Sequence, residues 1–208
     1  MKPGDIERTS FAIIDSEVPE PRPFEGHEWS IVRRMIHTTA DFELLSLVKF
    51  HPDAVSAGVG RLKMGCTVVT DTEMARSGIT APRMDTLGCK VQCFLNDLAV
   101  LERAGREEIT RSAAAVDLAV SQVHRGIFVV GNAPTALLRL LKRVEEDPDV
   151  RPALIIGMPV GFVNAAESKE QLMEQEAVPY VTIMGRKGGS AVAASVVNAL
   201  AELALAKE

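Results

Sequence analysis

The 208-residue sequence is poor in cysteine, aromatic residues and histidine, and basic residues are not in excess. Its three cysteines are odd in number and form no Cys-x-x-Cys pair, which excludes a disulfide framework and a structural zinc site of the usual spacing. We expect free, buried thiols in a reducing compartment. Because there is only one Trp and one Tyr, the core must consist mainly of Val, Ile, Leu, Ala and Met.

The charge balance is acidic, with 23 Lys and Arg against 28 Asp and Glu and a formal net charge of −5. Non-specific nucleic-acid binding usually needs a basic face, so no nucleic-acid partner is expected. A few arginines can still create a positive cleft for an acidic ligand. The sequence has neither the roughly 18-residue apolar run of a membrane helix nor the apolar core of a signal peptide. We expect a cytoplasmic protein without membrane contact, with residues 1–208 as a single domain.

Short apolar runs alternate with segments of helical periodicity. The runs that predict strands are 67–70, 90–95, 127–130, 153–156 and 181–184. Apolar runs of this length suit parallel strands that are buried on both faces. Helices are predicted at 5–17, 25–37, 109–123, 134–146 and 190–206, with a turn at the Pro-rich stretch 19–23. The alternation predicts an α/β fold, in which helices cover both faces of a mainly parallel five-stranded sheet and the N-terminal helices pack over it.

One of the four histidines lies in a dense polar segment: His37 follows Arg33 and Arg34 and precedes Asp41. Histidine is easily tuned to move protons near neutral pH, and arginine is well shaped to hold carboxylates. The segment therefore favours an enzyme that acts on an acidic substrate. The alternative is a histidine that simply packs on, or is exposed along, an amphipathic helix.

Three predicted strand-to-helix turns begin at Gly131, Gly157 and Gly185. Helix N-termini offer N–H groups to anions, and ligands of open α/β sheets bind at the carboxyl edge. We take Gly131 and Asn132 as candidate substrate-binding residues, although tight turns of any α/β protein use such residues. None of the turns matches a phosphate loop or a dinucleotide fingerprint, so nucleotide binding is only weakly indicated.

A further arginine, Arg111, is predicted in the first turn of a helix that has Thr110 as its N-cap. A cation there opposes the helix dipole, which suggests an anion-binding role, with a simple surface arginine as the alternative. Thr110 and Arg111 are therefore candidate substrate-binding residues. The sequence has no Gly-x-Ser-x-Gly elbow and no histidine pair of metal-ligand spacing, so no metal site is predicted.

An ordered series of motifs covers nearly the whole chain and closely resembles the precorrin-8X methylmutase family of corrin-ring (vitamin B12) biosynthesis. The motifs are SFAII at 10–14, RMIHTTADF at 34–42, TDTEM at 70–74, TRSA at 110–113, GNAPTAL at 131–137, GMPVGFV at 157–163, AAESK at 165–169 and GRKGGS at 185–190. The resemblance implies a three-layer α/β/α fold with a flavodoxin-like sheet, and a homodimer.

The resemblance also implies an isomerase that moves a methyl group from ring carbon 11 to ring carbon 12 of a tetrapyrrole polycarboxylate and consumes no cofactor. It implies that His37 is the catalytic residue and that Ser10, Arg34 and Arg111 bind the substrate's carboxylates. We predict that His37 is a general acid that donates a proton or a strong hydrogen bond to the macrocycle. Arg33 and Arg34 favour its neutral form, whereas Asp41 and a bound polycarboxylate favour the charged form, so acidity is expected to develop on binding.

The family includes enzymes for metal-free precorrin-8X and for cobalt-precorrin-8. The HTTADF and GRKGGS forms of this sequence resemble the cobalt-dependent branch, in which cobalt arrives inside the substrate and the protein needs no metal site. Transient contacts with neighbouring corrin-pathway enzymes are also expected. Two other functions stay open: a non-catalytic tetrapyrrole carrier and a flavodoxin-like nucleotide-binding oxidoreductase.

Overall fold

A six-stranded sheet forms the centre of the structure, a computed structural model that describes residues 3–206. The strands are β1 (Val48–Phe50), β2 (Thr67–Thr70), β3 (Lys90–Gln92), β4 (Ile127–Val130), β5 (Leu154–Gly157) and β6 (Tyr180–Ile183). They lie in the order β3-β2-β4-β5-β6-β1, with β2 to β6 parallel and β1 antiparallel to β6. The predicted α/β class with a mainly parallel sheet is confirmed, whereas the predicted number of five strands is wrong.

Helices precede the first strand, connect successive strands and follow the last strand. Within the described residues they are α1 (Pro3–Glu17), α2 (Gly26–Thr39), α3 (Leu44–Leu47), α4 (Ala54–Lys63), α5 (Glu73–Gly78), α6 (Ala81–Thr86), α7 (Leu98–Glu107), α8 (Arg111–Gln122), α9 (Pro134–Glu146), α10 (Ala165–Glu174) and α11 (Ser190–Leu205). Local sequence explains two of the starts. The Thr110 hydroxyl caps α8 by accepting a hydrogen bond from the Ala113 N–H (3.2 Å), and Pro134 begins α9 with a preset φ.

Side chains of the strands alternate between two apolar clusters, one on each face of the sheet. Val68, Val129 and Ile156 belong to the cluster that includes α2, α4 and α11, whereas Val69 and Phe128 belong to the cluster that includes α7, α8 and α9. This alternation follows from the two-residue period of a strand. On the first face, α1 packs on α2, α2 packs on α11, and α11 contacts the sheet.

The strand that the sequence does not predict is β1. It consists of only three residues with the exposed Lys49 in the middle, so its pattern is too short to predict a strand. It forms because residues 48–50 pair with residues 181–183 of β6, with Val48 opposite Ile183. Since β1 is antiparallel, it begins at the carboxyl edge of the parallel strands. The chain that joins α2 to β1 must therefore reach this edge, which brings the C-terminal end of α2, with His37, close to it.

Most of the other predicted elements are found with similar bounds. The third strand along the chain is shorter than predicted, since it ends at Gln92, and the stretch 19–23 connects α1 to α2 as predicted.

All three cysteines are free, with Cys66 and Cys89 buried and Cys93 half-buried. Burial raises the pKa of the Cys66 thiol to about 12, which makes this thiol unreactive. No helix within residues 3–206 is long and apolar enough to span a membrane.

Candidate active site

Four strand-to-helix turns meet at the carboxyl edge of the parallel strands. Gly131, after β4, lies so close to the start of α11 that an added Cβ would be 2.7 Å from Ser190 Cα. The Thr72 hydroxyl, after β2, is 2.9 Å from the Ser190 hydroxyl. A Cβ at Gly188, after β6, would be 2.2 Å from the Met158 carbonyl oxygen, after β5. Gly131 and Gly188 are therefore required because the turns approach each other too closely for a side chain.

The turn after β4 is closed by a buried carboxylate of the protein itself. Asp71 accepts hydrogen bonds from the backbone N–H groups of Gly131 (2.9 Å), Asn132 (2.8 Å) and Ala133 (2.8 Å). Burial raises the pKa of the Asp71 carboxyl, and the three N–H donors act in the opposite direction. The sequence predicts that this turn offers free N–H groups to an anion. That expectation is wrong for these three groups, because Asp71 already occupies them.

The starts of α8 and α9 lie side by side at the same edge. The Thr110 hydroxyl donates to the Thr135 hydroxyl at 2.9 Å, which joins the two helix starts. Arg111 is exposed and forms no ion pair with another residue of the described chain, and the Asn132 side chain is exposed as well. The polar groups of Arg111 and Asn132 are thus open to a ligand at this edge.

His37 is held by α1. Its Nδ1 atom is 2.8 Å from Ser10 Oγ, and the Phe11 ring meets the imidazole edge-on with a centroid distance of 5.3 Å. The guanidinium groups of Arg33 and Arg34 lie over the same Phe11 ring, 4.5 and 5.2 Å from its centroid. The imidazole is half-buried, so one side remains accessible while the Ser10 contact fixes its orientation.

Both arginines that precede His37 are already paired with carboxylates. Arg34 is only 9% exposed, and its Nη2 atom donates to both carboxylate oxygens of Glu202 (2.7 and 2.8 Å) and lies 3.0 Å from Glu7. Arg33 is 2.7 Å from Asp15. These pairs fix α1 and α11 against α2. In this arrangement Arg34 stabilises the helices that present His37.

The loop after β6 contacts the segment that follows His37. The Lys187 ammonium is 2.5 Å from Asp41 and 2.7 Å from Glu43. The hydrogen bond to Lys187 lowers the pKa of the Asp41 carboxyl, and the bond to Asp41 raises the pKa of the Lys187 ammonium. Asp41 is thus bound by a cation of the sheet edge. This contact connects residues 33–43, which we call the His37 segment, to the edge.

The seven predicted site residues therefore fall into two groups. On α1 and α2 lie Ser10, Arg34 and His37; at the starts of α8 and α9 lie Thr110, Arg111, Gly131 and Asn132. Two residues that hold the arrangement together, Asp71 and Lys187, are not among the predicted ones. Their sequence signals are a carboxylate directly after a buried strand and a lysine inside a glycine-rich turn. Among residues 3–206, no three His, Cys, Asp or Glu side chains are grouped so that they could hold a metal ion.

The precorrin-8X methylmutase family profile matches residues 5–203, which is nearly the whole chain. The chain belongs to the precorrin-8X methylmutase family. The resemblance that the motifs indicate is thereby confirmed, as is the assignment to the isomerases of the methylmutase type.

Individual methylmutases support this membership. The chain is 44% identical over 203 residues to a cobalt-precorrin-8 methylmutase from Leptospira interrogans, covering 94% of this chain and 91% of the relative. It is 45% identical to a cobalt-precorrin-8 methylmutase from Salmonella typhimurium, covering 96% and 95%. The crystal structure of a precorrin-8X methylmutase from Thermus thermophilus superimposes with a TM-score of 0.89 at 42% identity, covering 96% of this chain and 95% of that one.

Proposed function

We propose that this chain moves a methyl group from ring carbon 11 to ring carbon 12 of cobalt-precorrin-8, with His37 as the general acid. The observation that carries the proposal is the 2.8 Å contact between Ser10 Oγ and His37 Nδ1 in a half-buried site, within a chain of the methylmutase family. A histidine oriented in this way can donate from its second nitrogen to a ligand on its open side.

The Ser10 hydroxyl supports two states of the imidazole that suit a proton donor. If Ser10 donates to Nδ1, a neutral His37 carries its proton on Nε2. If His37 is charged, Nδ1–H donates to Ser10 and Nε2 again carries a proton. In both states an Nε2–H group is available to the macrocycle. Ser10 therefore orients the donor, in addition to the substrate contact that the family resemblance implies.

The reaction is an isomerisation, so His37 ends each cycle as it began. A proton or strong hydrogen bond given to the macrocycle withdraws electron density and eases the shift. As the shift proceeds, the bond from the methyl carbon to ring carbon 11 breaks and a bond to ring carbon 12 forms. The proton then returns to His37. General acid catalysis of this kind contributes about 10²–10⁴-fold, and the remainder comes from holding the macrocycle in a reactive geometry.

The substrate's carboxylates are assigned to side chains of the sheet edge. Arg111 is the principal clamp, because it is exposed and not ion-paired within the described chain, with Thr110 and Asn132 beside it. Gly131 contributes the close backbone approach rather than an N–H donor, since Asp71 takes its N–H group. Arg34 also remains a candidate clamp, and binding of substrate there requires Glu202 to release the guanidinium.

The cobalt form of the substrate is proposed because the HTTADF and GRKGGS segments resemble the cobalt-dependent branch, and relatives named cobalt-precorrin-8 methylmutase match at 44–45% identity. The metal belongs to the substrate, and no separate cofactor is invoked. We also propose a cytoplasmic homodimer, one domain over residues 1–208, and transient contacts with enzymes of the same pathway. The strand order β3-β2-β4-β5-β6, with an apolar cluster on each face, supports a three-layer, flavodoxin-like arrangement.

His37→Ala tests the catalytic assignment. The variant should convert cobalt-precorrin-8 at least about 100-fold more slowly than the wild type, as followed by the visible spectrum, because the proton donor is gone. It should still bind the substrate, since Arg111 is intact. The matched control is His124→Ala, which removes an exposed histidine just before β4, at the opposite edge of the sheet. Full turnover by His37→Ala would refute the role of His37.

The same assay separates the functional alternatives. If the wild-type protein binds the corrinoid but converts none of it, the protein is a carrier. If it binds no corrinoid and is purified with a bound nucleotide, the oxidoreductase alternative is favoured. Parallel reactions with metal-free precorrin-8X decide between the two substrate forms. Arg111→Ala should weaken binding more than it slows the bound-state reaction, and an unchanged dissociation constant would contradict the clamp.

A further inference from the structure

Lys169 is fully buried, with 0% exposure, although it lies on α10 and its ammonium has no carboxylate partner in the described chain. Its Nζ atom donates to two backbone carbonyl oxygens, that of Pro159 at 3.0 Å and that of Lys187 at 2.6 Å. Burial lowers the pKa of the Lys169 ammonium to about 8. Burying a lysine is costly, so a lysine in this position calls for a role that an apolar side chain could not fill.

The two carbonyls belong to different loops. We call residues 158–163 the β5 loop and residues 185–189 the β6 loop. The Gly189 N–H donates to the Met158 carbonyl at 3.0 Å, and the Gly161 N–H donates to the Arg186 carbonyl at 3.2 Å. Lys169 is buried and donates to one carbonyl of each loop, next to these backbone hydrogen bonds. Its ammonium therefore joins the two loops at the point where they meet.

Lys187 connects the two loops to the His37 segment. Its carbonyl accepts the Lys169 hydrogen bond, and its own ammonium binds Asp41 and Glu43 at 2.5 and 2.7 Å. Asp41 follows the end of the helix that carries His37. A continuous series of contacts thus runs from the buried Lys169, through one residue of the β6 loop, to the chain segment four residues beyond His37.

We propose that Lys169 is a positioning residue for the methyl shift: it joins the β5 and β6 loops and thereby holds Lys187 against Asp41, which keeps the His37 segment at the sheet edge. The role in the reaction rests on the proposed function, whereas the holding of the segment does not. Lys169 has no exposed surface and so acts through the loops and not by touching the substrate.

Two variants and their combination test the proposal. Lys169→Met keeps an apolar stem and removes the ammonium, and Lys187→Met removes the exposed cation that reaches Asp41. Each should lower kcat about 10-fold or more, because a small displacement of a catalytic group is costly, with little change in the substrate dissociation constant. Since both act through one contact, the double variant should be no slower than Lys169→Met. The control is Lys142→Met, which breaks a comparable surface pair with Glu146 on α9.

Hydrogen–deuterium exchange supplies a readout that does not depend on activity. In Lys169→Met, exchange should rise in both loops and in residues 38–43, and in Lys187→Met it should rise in residues 38–43. If the wild type converts no corrinoid but the exchange changes as expected, the function is wrong and the positioning of the segment stands.

Three outcomes would overturn the proposal: rate losses that multiply in the double variant, unchanged exchange in residues 38–43, or wild-type kcat in Lys187→Met. If Lys169→Met does not fold, Lys187→Met and Asp41→Ala still test the contact on which the proposal depends. Both remove the hydrogen bond between Lys187 and Asp41, and wild-type kcat in Lys187→Met, which also loses the pair with Glu43, would refute the route from Lys169 to His37.

Discussion

Two parts of the same sheet edge are held by buried charged side chains of opposite sign. After β4, the Asp71 carboxylate gathers three backbone N–H groups of residues 131–133. After β5 and β6, the Lys169 ammonium gathers two backbone carbonyls. In sequence, the glycine turns after β4, β5 and β6 look equivalent, but the structure shows that they are closed by different chemistry.

The difference decides what each turn leaves for a ligand. The N–H groups of 131–133 are taken, so this part of the edge presents the exposed side chains of Arg111 and Asn132 in place of backbone donors. The loops after β5 and β6 are joined through their carbonyls instead. Removal of Asp71, forced separation of the β5 and β6 loops, and removal of Lys169 each test this contrast.

The largest effect is expected from Asp71→Ala. Three N–H groups would lose their acceptor inside the protein, and each buried unsatisfied donor is costly. The free energy of unfolding should fall by about 3 kcal/mol or more. Urea denaturation of both proteins at the same pH measures the loss.

Asp71→Asn is the graded control for this prediction. Its carboxamide offers one acceptor oxygen in place of two, so its stability should lie between that of the wild type and that of Asp71→Ala. If Asp71→Ala were as stable as the wild type, water or substrate-like anions would be serving the turn, and the contrast between the two parts of the edge would fail.

Gly188→Ala should have the next largest effect. The new Cβ would be 2.2 Å from the Met158 carbonyl oxygen and 2.8 Å from that of Pro159, and both are backbone atoms that cannot rotate away. The loops must separate, which should cost about 2 kcal/mol of stability and lower kcat together with it.

Gly105→Ala is the matched control, because Gly105 lies in α7 with open space around it. Alanine favours a helix more than glycine does, so this variant should gain about 0.5–1 kcal/mol. A stable, fully active Gly188→Ala would mean that the two loops are not held together as tightly as their backbone contacts indicate.

Local sequence predicts the parts of the fold that local physics determines. The strands at 67–70 and 127–130 have the predicted bounds, because a short continuous apolar run between polar ends is typical of a strand that is buried on both faces. The strand β1 could not be predicted, because Val48–Phe50 has no pattern of its own and becomes a strand only through its pairing with β6. Yet this strand brings the end of α2 to the sheet edge, so the placement of His37 depends on an element that the sequence does not reveal.

The candidate site divides in the same way. The segment around His37 stands out by its residue types, and the motifs identify the family. The partners of those residues are distant in sequence: Asp71 meets residues 131–133, Arg34 meets Glu202, and Lys187 meets Asp41. Lys169, near the start of a helix with charged neighbours, has the sequence appearance of a surface lysine. Only the packing of two loops over it reveals that it is buried.

The smallest expected effect is a pH dependence of stability caused by Lys169. Its pKa is lowered from 10.5 to about 8 by burial in the folded protein, whereas the unfolded chain keeps an ordinary lysine. Below pH 8 the ammonium is charged in both states, and the full cost of burial is present. As the pH rises from 8 towards 10, the folded protein releases this proton before the unfolded chain does, so the free energy of unfolding rises.

The measurement is denaturation of the wild type and Lys169→Met at pH 7 and pH 8.5. Between these pH values, the free energy of unfolding of the wild type should increase relative to that of the variant. The increase should be smaller than the stability losses expected for Asp71→Ala and Gly188→Ala. Other titrating groups cancel in this difference, so a gap between the two proteins that stays constant over this range would mean that the buried ammonium keeps an ordinary pKa, and that water reaches it.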